Sequence, residues 1–253
     1  MVLRLIEHNL TKSTGIGFTA ALLAAALFGS VSTIAKPVLS TVDPFLLSSL
    51  VYLISALFFS AIIALRNNTA SLQTVSSSSK GSHSYYIVLI ITTSIIGATI
   101  APAMFFFGLG QTTASDTSLL SNGETVFSII FAILFFKEKL KPLGYLAALM
   151  VLAGLLVVTT NFQFHNSLLK MNSGNLLVLG ATVLWGLDNN ICRIITYHTE
   201  IARLVQLKSV IGGSILLIFG VFFYMLHYVL RWYNYHKLYC WVLLASALPF
   251  TFF

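Results

Sequence analysis

The sequence predicts an all-α, polytopic membrane helix bundle, built as inverted five-helix repeats of which the second is incomplete. Three observations carry that prediction. Of 253 residues, 57% are hydrophobic and only 8% are charged, against about 25% charged in a soluble globular domain. The mean hydropathy of +0.91 leaves too little polar surface to coat a globule in water. The apolar residues also fall in continuous runs of bilayer-spanning length without alternation, which reads as helices rather than strands.

The N-terminal residues 1–15 read as a cytoplasmic segment. The Ala-rich run behind them continues to about Ala35, so it is a retained first helix rather than a cleaved signal peptide. Seven spans follow from the runs, at roughly 16–35, 44–65, 86–108, 115–136, 142–160, 174–195 and 204–225. The apolar stretch 239–253 contains Pro249 and is too short for an ordinary span. Between spans, "RNNTASLQTVSSSSKGSHS" (66–84) reads as a flexible hydrophilic linker. The segment 226–238, with Tyr228, Trp232, Tyr233 and Tyr235 around Arg231 and Lys237, reads as an interfacial aromatic belt.

Orientation follows from the basic residues. With the N-terminus inside, ten Lys and Arg residues lie on the inner side and four on the outer, and the "KEKLK" cluster (137–141) is a cytoplasmic stop. The protein is therefore expected in the cell membrane as a multi-pass protein with a cytoplasmic N-terminus. The pI near 9.5 is explained by these short clusters, and no nucleic-acid partner is expected. Cys192 and Cys240 are isolated, and the six histidines form no HxxxH pair, so neither a metal site nor a cofactor is predicted. An enzyme is the weakest class, because a His cluster, a paired-carboxylate motif and a nucleophile elbow are all lacking.

An offset of 157 residues relates two parts of the chain without gaps. Gly17 falls on Gly174, Leu27–Gly29 on Leu184–Gly186, Lys36 on Arg193 and Asp43 on Glu200. Five spans per copy turn the second copy upside down, and Lys36 outside against Arg193 inside agrees. Inverted repeats are a transporter architecture with the substrate site between copies near the midplane. The domains are thus 16–161 for the first repeat and 174–253 for part of the second. Counterparts of residues 97–161, 65 positions, are expected beyond Phe253, so the chain is expected to be truncated.

Three stretches of the first copy stand out: "AALLAAALFGSVSTIAKPVL", "PFLLSSLVYLISALFFSAI" and, most strongly, "TTASDTSLLSNGETVFSIIFAILFFKEKLKPLGYLAALMVLAGLLVV". On these residues the first copy resembles the EamA domain of the drug/metabolite transporter superfamily. The stretch "LVLGATVLWGLDNNICR" resembles the start of a second EamA copy. Thr125 stands where that pattern usually has proline. The resemblance implies a ten-helix carrier of small metabolites that works by alternating access, with export as its direction. No GxxxxGK[ST] phosphate loop accompanies it. The expected partners are a small-molecule substrate and the lipid bilayer, with a homodimer left open. The alternative is a non-transporting truncated membrane protein or a half-transporter that requires a partner.

Candidate cavity residues come from polar groups inside the spans; no catalytic residue is predicted. Thr117, Ser121, Glu124 and Ser128 are spaced four, three and four, which places them on one face of a continuous fourth helix. An ion facing lipid costs several kcal/mol, so that face turns inward. Glu124 reads either as a cavity carboxylate for a cationic group or proton, or as a partner for another helix. "LWGLDNN" adds Trp185, Asp188, Asn189 and Asn190, as cavity contacts or interhelical glue, with Asn189 within reach of Arg193. Tyr52 is mid-span in the second helix and reads as cavity lining or packing. Lys36 and Lys208 are expected to snorkel to the headgroups. Gly97 and Pro102 interrupt the third span, because proline removes a backbone donor and kinks a helix.

Overall fold

The computed structural model describes the backbone of residues 2–65, 80–137, 139, 141–160 and 172–247, with side chains for 17–19, 22–65, 84–137, 139, 141–154, 157 and 172–226. The helices are α1 (Val2–Val38), α2 (Pro44–Leu65), α3 (Lys80–Ile95), α4 (Ala101–Gln111), α5 (Ala114–Ser121), α6 (Gly123–Phe136), α7 (Pro142–Thr160), α8 (Ser173–Thr196) and α9 (Ile201–Ala247). A single π-helical turn, Ile96–Ile100, joins α3 to α4. Among the described residues there is no strand, and the fold is a polytopic membrane helix bundle.

Five segments are long and apolar enough to cross a membrane: Gly17–Val38, Pro44–Leu65, Ser84–Gln111, Ala114–Phe136 and Ile201–Leu226. The other two expected spans are α7, of 19 residues, and α8, of 24. Asp188, Asn189, Asn190 and Arg193 lower the hydropathy of α8. It is nonetheless deeply embedded, with nine described residues from Gly174 to Ile195 buried.

Helix boundaries have local causes. Asp43 accepts from the Phe45 amide at 2.8 Å, and Pro44 opens α2 where its missing N–H costs nothing. Thr113 accepts from the Asp116 amide at 3.0 Å to start α5, and Asn172 accepts from the Gly174 amide at 3.1 Å to start α8. At the other end of α6, Lys137 adopts a left-handed conformation with φ of 53° and stops the helix.

Several boundaries differ from expectation. The 66–84 linker ends at Ser79, since α3 begins at Lys80; residues 66–79 lie outside the described residues. The fourth span is not one helix: Asn122 separates α5 from α6, its N–H turned onto the Leu119 and Leu120 carbonyls. The apolar span Ile201–Leu226 covers the expected seventh span, but the helix does not end with it. α9 runs on to Ala247 through the expected aromatic belt, because that stretch contains neither glycine nor proline to break it. The belt's side chains and residues 248–253 lie outside the description.

Lys36 does not snorkel outward. Its ammonium donates to the carbonyls of Leu109, Gly110 and Thr112 at 2.6, 3.0 and 2.7 Å. Those are carbonyls at the end of α4, which lack helical donors, so a cation there completes the helix.

The most extensive packing joins α2 to α9, then α4 and α6 to α8. Gly108 and Gly174 bring α4 and α8 into backbone contact: a Cβ on Gly108 would stand 2.7 Å from the Gly174 carbonyl oxygen. Small residues at such crossings are the usual means of close helix approach in membranes. Ala101, Phe105, Leu109, Leu120, Val178 and Ala181 fill the core between α4, α5 and α8.

Candidate functional site

The site is organised by one backbone carbonyl. In an α-helix the Gly97 carbonyl would accept from the Ala101 amide. In the π turn that amide instead reaches back to the Ile96 carbonyl. The next candidate donor is Pro102, which has no N–H. Gly97 is therefore left with a buried acceptor and no backbone partner. Two side chains supply it: Tyr52 donates its hydroxyl from α2 at 3.1 Å, and Trp185 donates Nε1 from α8 at 3.0 Å.

Such a carbonyl predicts a particular pattern of mutational cost. Either Tyr52→Phe or Trp185→Phe leaves one donor, and each is expected to cost about 0.5–1.5 kcal/mol. The double variant orphans a buried acceptor and should exceed the sum of the two. A denaturant titration of the four proteins in mild detergent checks this; strict additivity would mean that water or another group serves the carbonyl.

On the other face of Gly97 lies Asp188. A Cβ at residue 97 would collide with the Asp188 carboxylate, so only glycine lets α8 sit this close. Asp188 pairs with Lys208 of α9 at 2.5 Å, and the two side chains are 6% and 14% exposed. Cys192, one turn along α8, donates its thiol toward Asp188 at 3.6 Å and accepts from Lys208 at 3.2 Å. The snorkelling expected of Lys208 is thus overturned. Its stem points into the bundle, because Asp188 offers a partner that a headgroup would otherwise supply.

A cavity of about 370 Å³ lies beside this pair. Phe28, Tyr52, Phe105, Phe106 and Trp185 form aromatic walls, and Ser121, Lys208 and Ser209 are among its polar lining. A second crevice, of about 290 Å³, opens between α6 and α8, lined by Thr125, Ser128, Asn189, Asn190 and Arg193 among others.

The nine candidates therefore separate. Tyr52, Ser121 and Trp185 line the central cavity, while Ser128, Asn189 and Asn190 line the crevice. Asp188 is buried behind Lys208. Thr117 is buried with its hydroxyl on the Thr113 carbonyl at 2.9 Å, and Ser121 bonds the Thr117 carbonyl at 2.7 Å. Glu124 is engaged by α8: Asn189 donates to its Oε1 at 2.7 Å and to the Ser128 hydroxyl at 3.2 Å. That is the helix-partner reading of Glu124. Asn190 donates to the Ser128 and Gly186 carbonyls, both at 2.9 Å, which is glue between α6 and α8.

Lys208 was missed as a site residue, although a signal existed. Asp188 is eight residues before the end of α8 and Lys208 seven after the start of α9. Opposite charges at matching depth on consecutive helices can meet across the bundle.

A bundle of membrane-spanning helices, with a π turn beside a partly open cavity and a buried ion pair, defines a polytopic membrane protein. The chain belongs to the EamA-like transporter family, whose model matches residues 15–160. It is also similar to an uncharacterized transporter of Methanothermobacter thermautotrophicus, 29% identical over 206 residues that cover 80% of this chain and 60% of that protein. The chain thus spans less than two thirds of that relative's length. A crystal structure shares the fold at a TM-score of 0.58 and 21% identity, covering 84% of this chain and 68% of the other.

Proposed function

We propose that this protein carries a small metabolite across the cell membrane by alternating access, in the direction of export, with its N-terminus in the cytoplasm. The observation that carries the reading is the aromatic-walled cavity beside the Asp188–Lys208 pair, next to the π turn that interrupts the third span. Interrupted helices in transporters tend to line the substrate path, and the family supplies the transport context. Under the same reading α1 and α8 are inverted counterparts, and the substrate site lies between the two copies. No cofactor and no catalytic step are invoked.

The test is uptake by proteoliposomes. Vesicles containing the full chain are incubated with a ¹³C-labelled extract of small metabolites, and their contents are read by mass spectrometry. At least one metabolite should accumulate above protein-free vesicles. Glu124→Leu should lower that uptake by about tenfold or more, with expression intact, since it removes the acceptor through which Asn189 ties α8 to α6. Uptake no greater than in empty vesicles would remove the transport reading, and unchanged uptake in the variant would remove Glu124 from the site.

A second reading, a half-transporter that needs a partner such as a second copy, is favoured by α1. Its Phe18, Leu22, Leu23, Leu27 and Ile34 are exposed, whereas α8 is packed against α4 and α6. Crosslinking in native membranes distinguishes the two readings, with a crosslinked pair through α1 expected only under the second.

A further inference from the structure

We propose that the central cavity takes a small apolar or aromatic carboxylate, and that Lys208 is the group that holds the carboxylate. The proposal rests on the transport reading of the same cavity and assigns its substrate class.

The first argument is which charges face the cavity. Glu124 and Asp188 are both acidic and both inside the bundle, yet neither lines it. Glu124 is bound to Asn189, and Asp188 is set against Gly97 behind the lysine. Lys208 is the charged side chain among the lining residues. A cationic ligand would meet an ammonium there, and an anionic one would be attracted to it.

The second argument is what remains available to a ligand. The Tyr52 hydroxyl and the Trp185 N–H are committed to the Gly97 carbonyl, and the Ser121 hydroxyl to the Thr117 carbonyl. Lys208 has three N–H donors; Asp188 and Cys192 take two. The third is free to meet a ligand oxygen. Around it stand Phe28, Phe105, Phe106 and Trp185, which suit an apolar or aromatic body and offer it no hydrogen bond beyond the one already spent. Ser55 and Ser209 add neutral hydroxyls to the lining, and one charge-assisted donor beside them in a largely apolar chamber fits a monocarboxylate with an uncharged tail.

Asp188 competes with the ligand for the same ammonium. Removing its charge while keeping its shape should therefore tighten carboxylate binding.

The experiment is equilibrium binding to the purified full chain in detergent. Radiolabelled 3-phenylpropionate, benzoate and 4-methylpentanoate are the probes, with 3-phenylpropanamide and 3-phenylpropylamine as competitors. At least one carboxylate should bind, and both competitors should be weaker than unlabelled 3-phenylpropionate by about tenfold or more, the worth of one charge-assisted hydrogen bond. Asp188→Asn should bind the carboxylate more tightly. The neutral pair Lys208→Met/Asp188→Asn leaves no buried charge unpaired and should fold while losing carboxylate binding by about tenfold or more.

The proposal is overturned if none of the three carboxylates binds the unmodified protein. It is equally overturned if the amide or amine competes as well as the acid, or if the neutral pair keeps its affinity. Carboxylate binding without uptake in vesicles would remove the transport reading and leave this assignment standing. Uptake of metabolites with no preference for carboxylates would do the reverse.

Discussion

Lys208→Met is expected to destabilise the bundle by about 3–5 kcal/mol, the cost of leaving one member of a buried ion pair without its partner. Asp188 is 6% exposed, so no headgroup and little water can take over the lysine's role. Among the described residues, the Cys192 thiol, at 3.6 Å, is its remaining hydrogen-bond partner. Asp188→Asn should be costly for the converse reason, though less so, since the longer lysine side chain can be redirected toward polar surroundings. Making both changes together restores neutrality and should recover most of the loss. The four proteins form a double-mutant cycle, read as unfolding free energies in bicelles. A large positive coupling is the expected result. Additive losses would mean that the two side chains do not depend on one another, contrary to the 2.5 Å contact.

Gly97→Ala carries the second large effect. The added methyl would overlap the Asp188 carboxylate, and the backbone around it is held from several sides by Tyr52, Trp185 and the π turn. Overpacking of this kind costs about 1–3 kcal/mol. If Asp188 yields, the pair with Lys208 is also weakened. The distinguishing feature is the dependence on residue 188. What the methyl meets is the Asp188 carboxyl group itself, so Gly97→Ala should be nearly silent in an Asp188→Ala background. Thermal unfolding of the single and double variants checks this. A Gly97→Ala penalty that persists without the carboxylate would place the conflict in the backbone instead.

How far the site could be read in advance differs from residue to residue. Gly97 and Pro102 were visible as an interruption, because proline's missing donor is a property of the residue alone. What that missing donor exposes was not visible. The orphaned carbonyl depends on the π register, and its partners Tyr52 and Trp185 lie 45 and 88 residues away in sequence. The polar stripe of Thr117, Ser121, Glu124 and Ser128 rests on helical spacing, and Asn122, between α5 and α6, divides it into two pairs. Glu124 was notable as an acid in an apolar run, but its attachment to Asn189 is a contact between α6 and α8 that no local pattern encodes. The two lysines show the same limit most plainly. A lysine near a helix end snorkels when lipid headgroups are its best partner. Lys36 and Lys208 each have a better one, in the open end of α4 and in Asp188.

The sequence by itself determined that this is a helical membrane protein, where most of its spans lie, and its resemblance to a transporter family. Those properties follow from hydropathy and helix-end chemistry, which act over stretches of adjacent residues. Only the tertiary structure decided which polar groups face the cavity and which hold helices together. That choice depends on what stands opposite each group. In a low-dielectric bundle every buried donor, acceptor and charge takes whatever partner packing brings within reach, and packing brought an ammonium, rather than a carboxylate, to the wall of the central chamber.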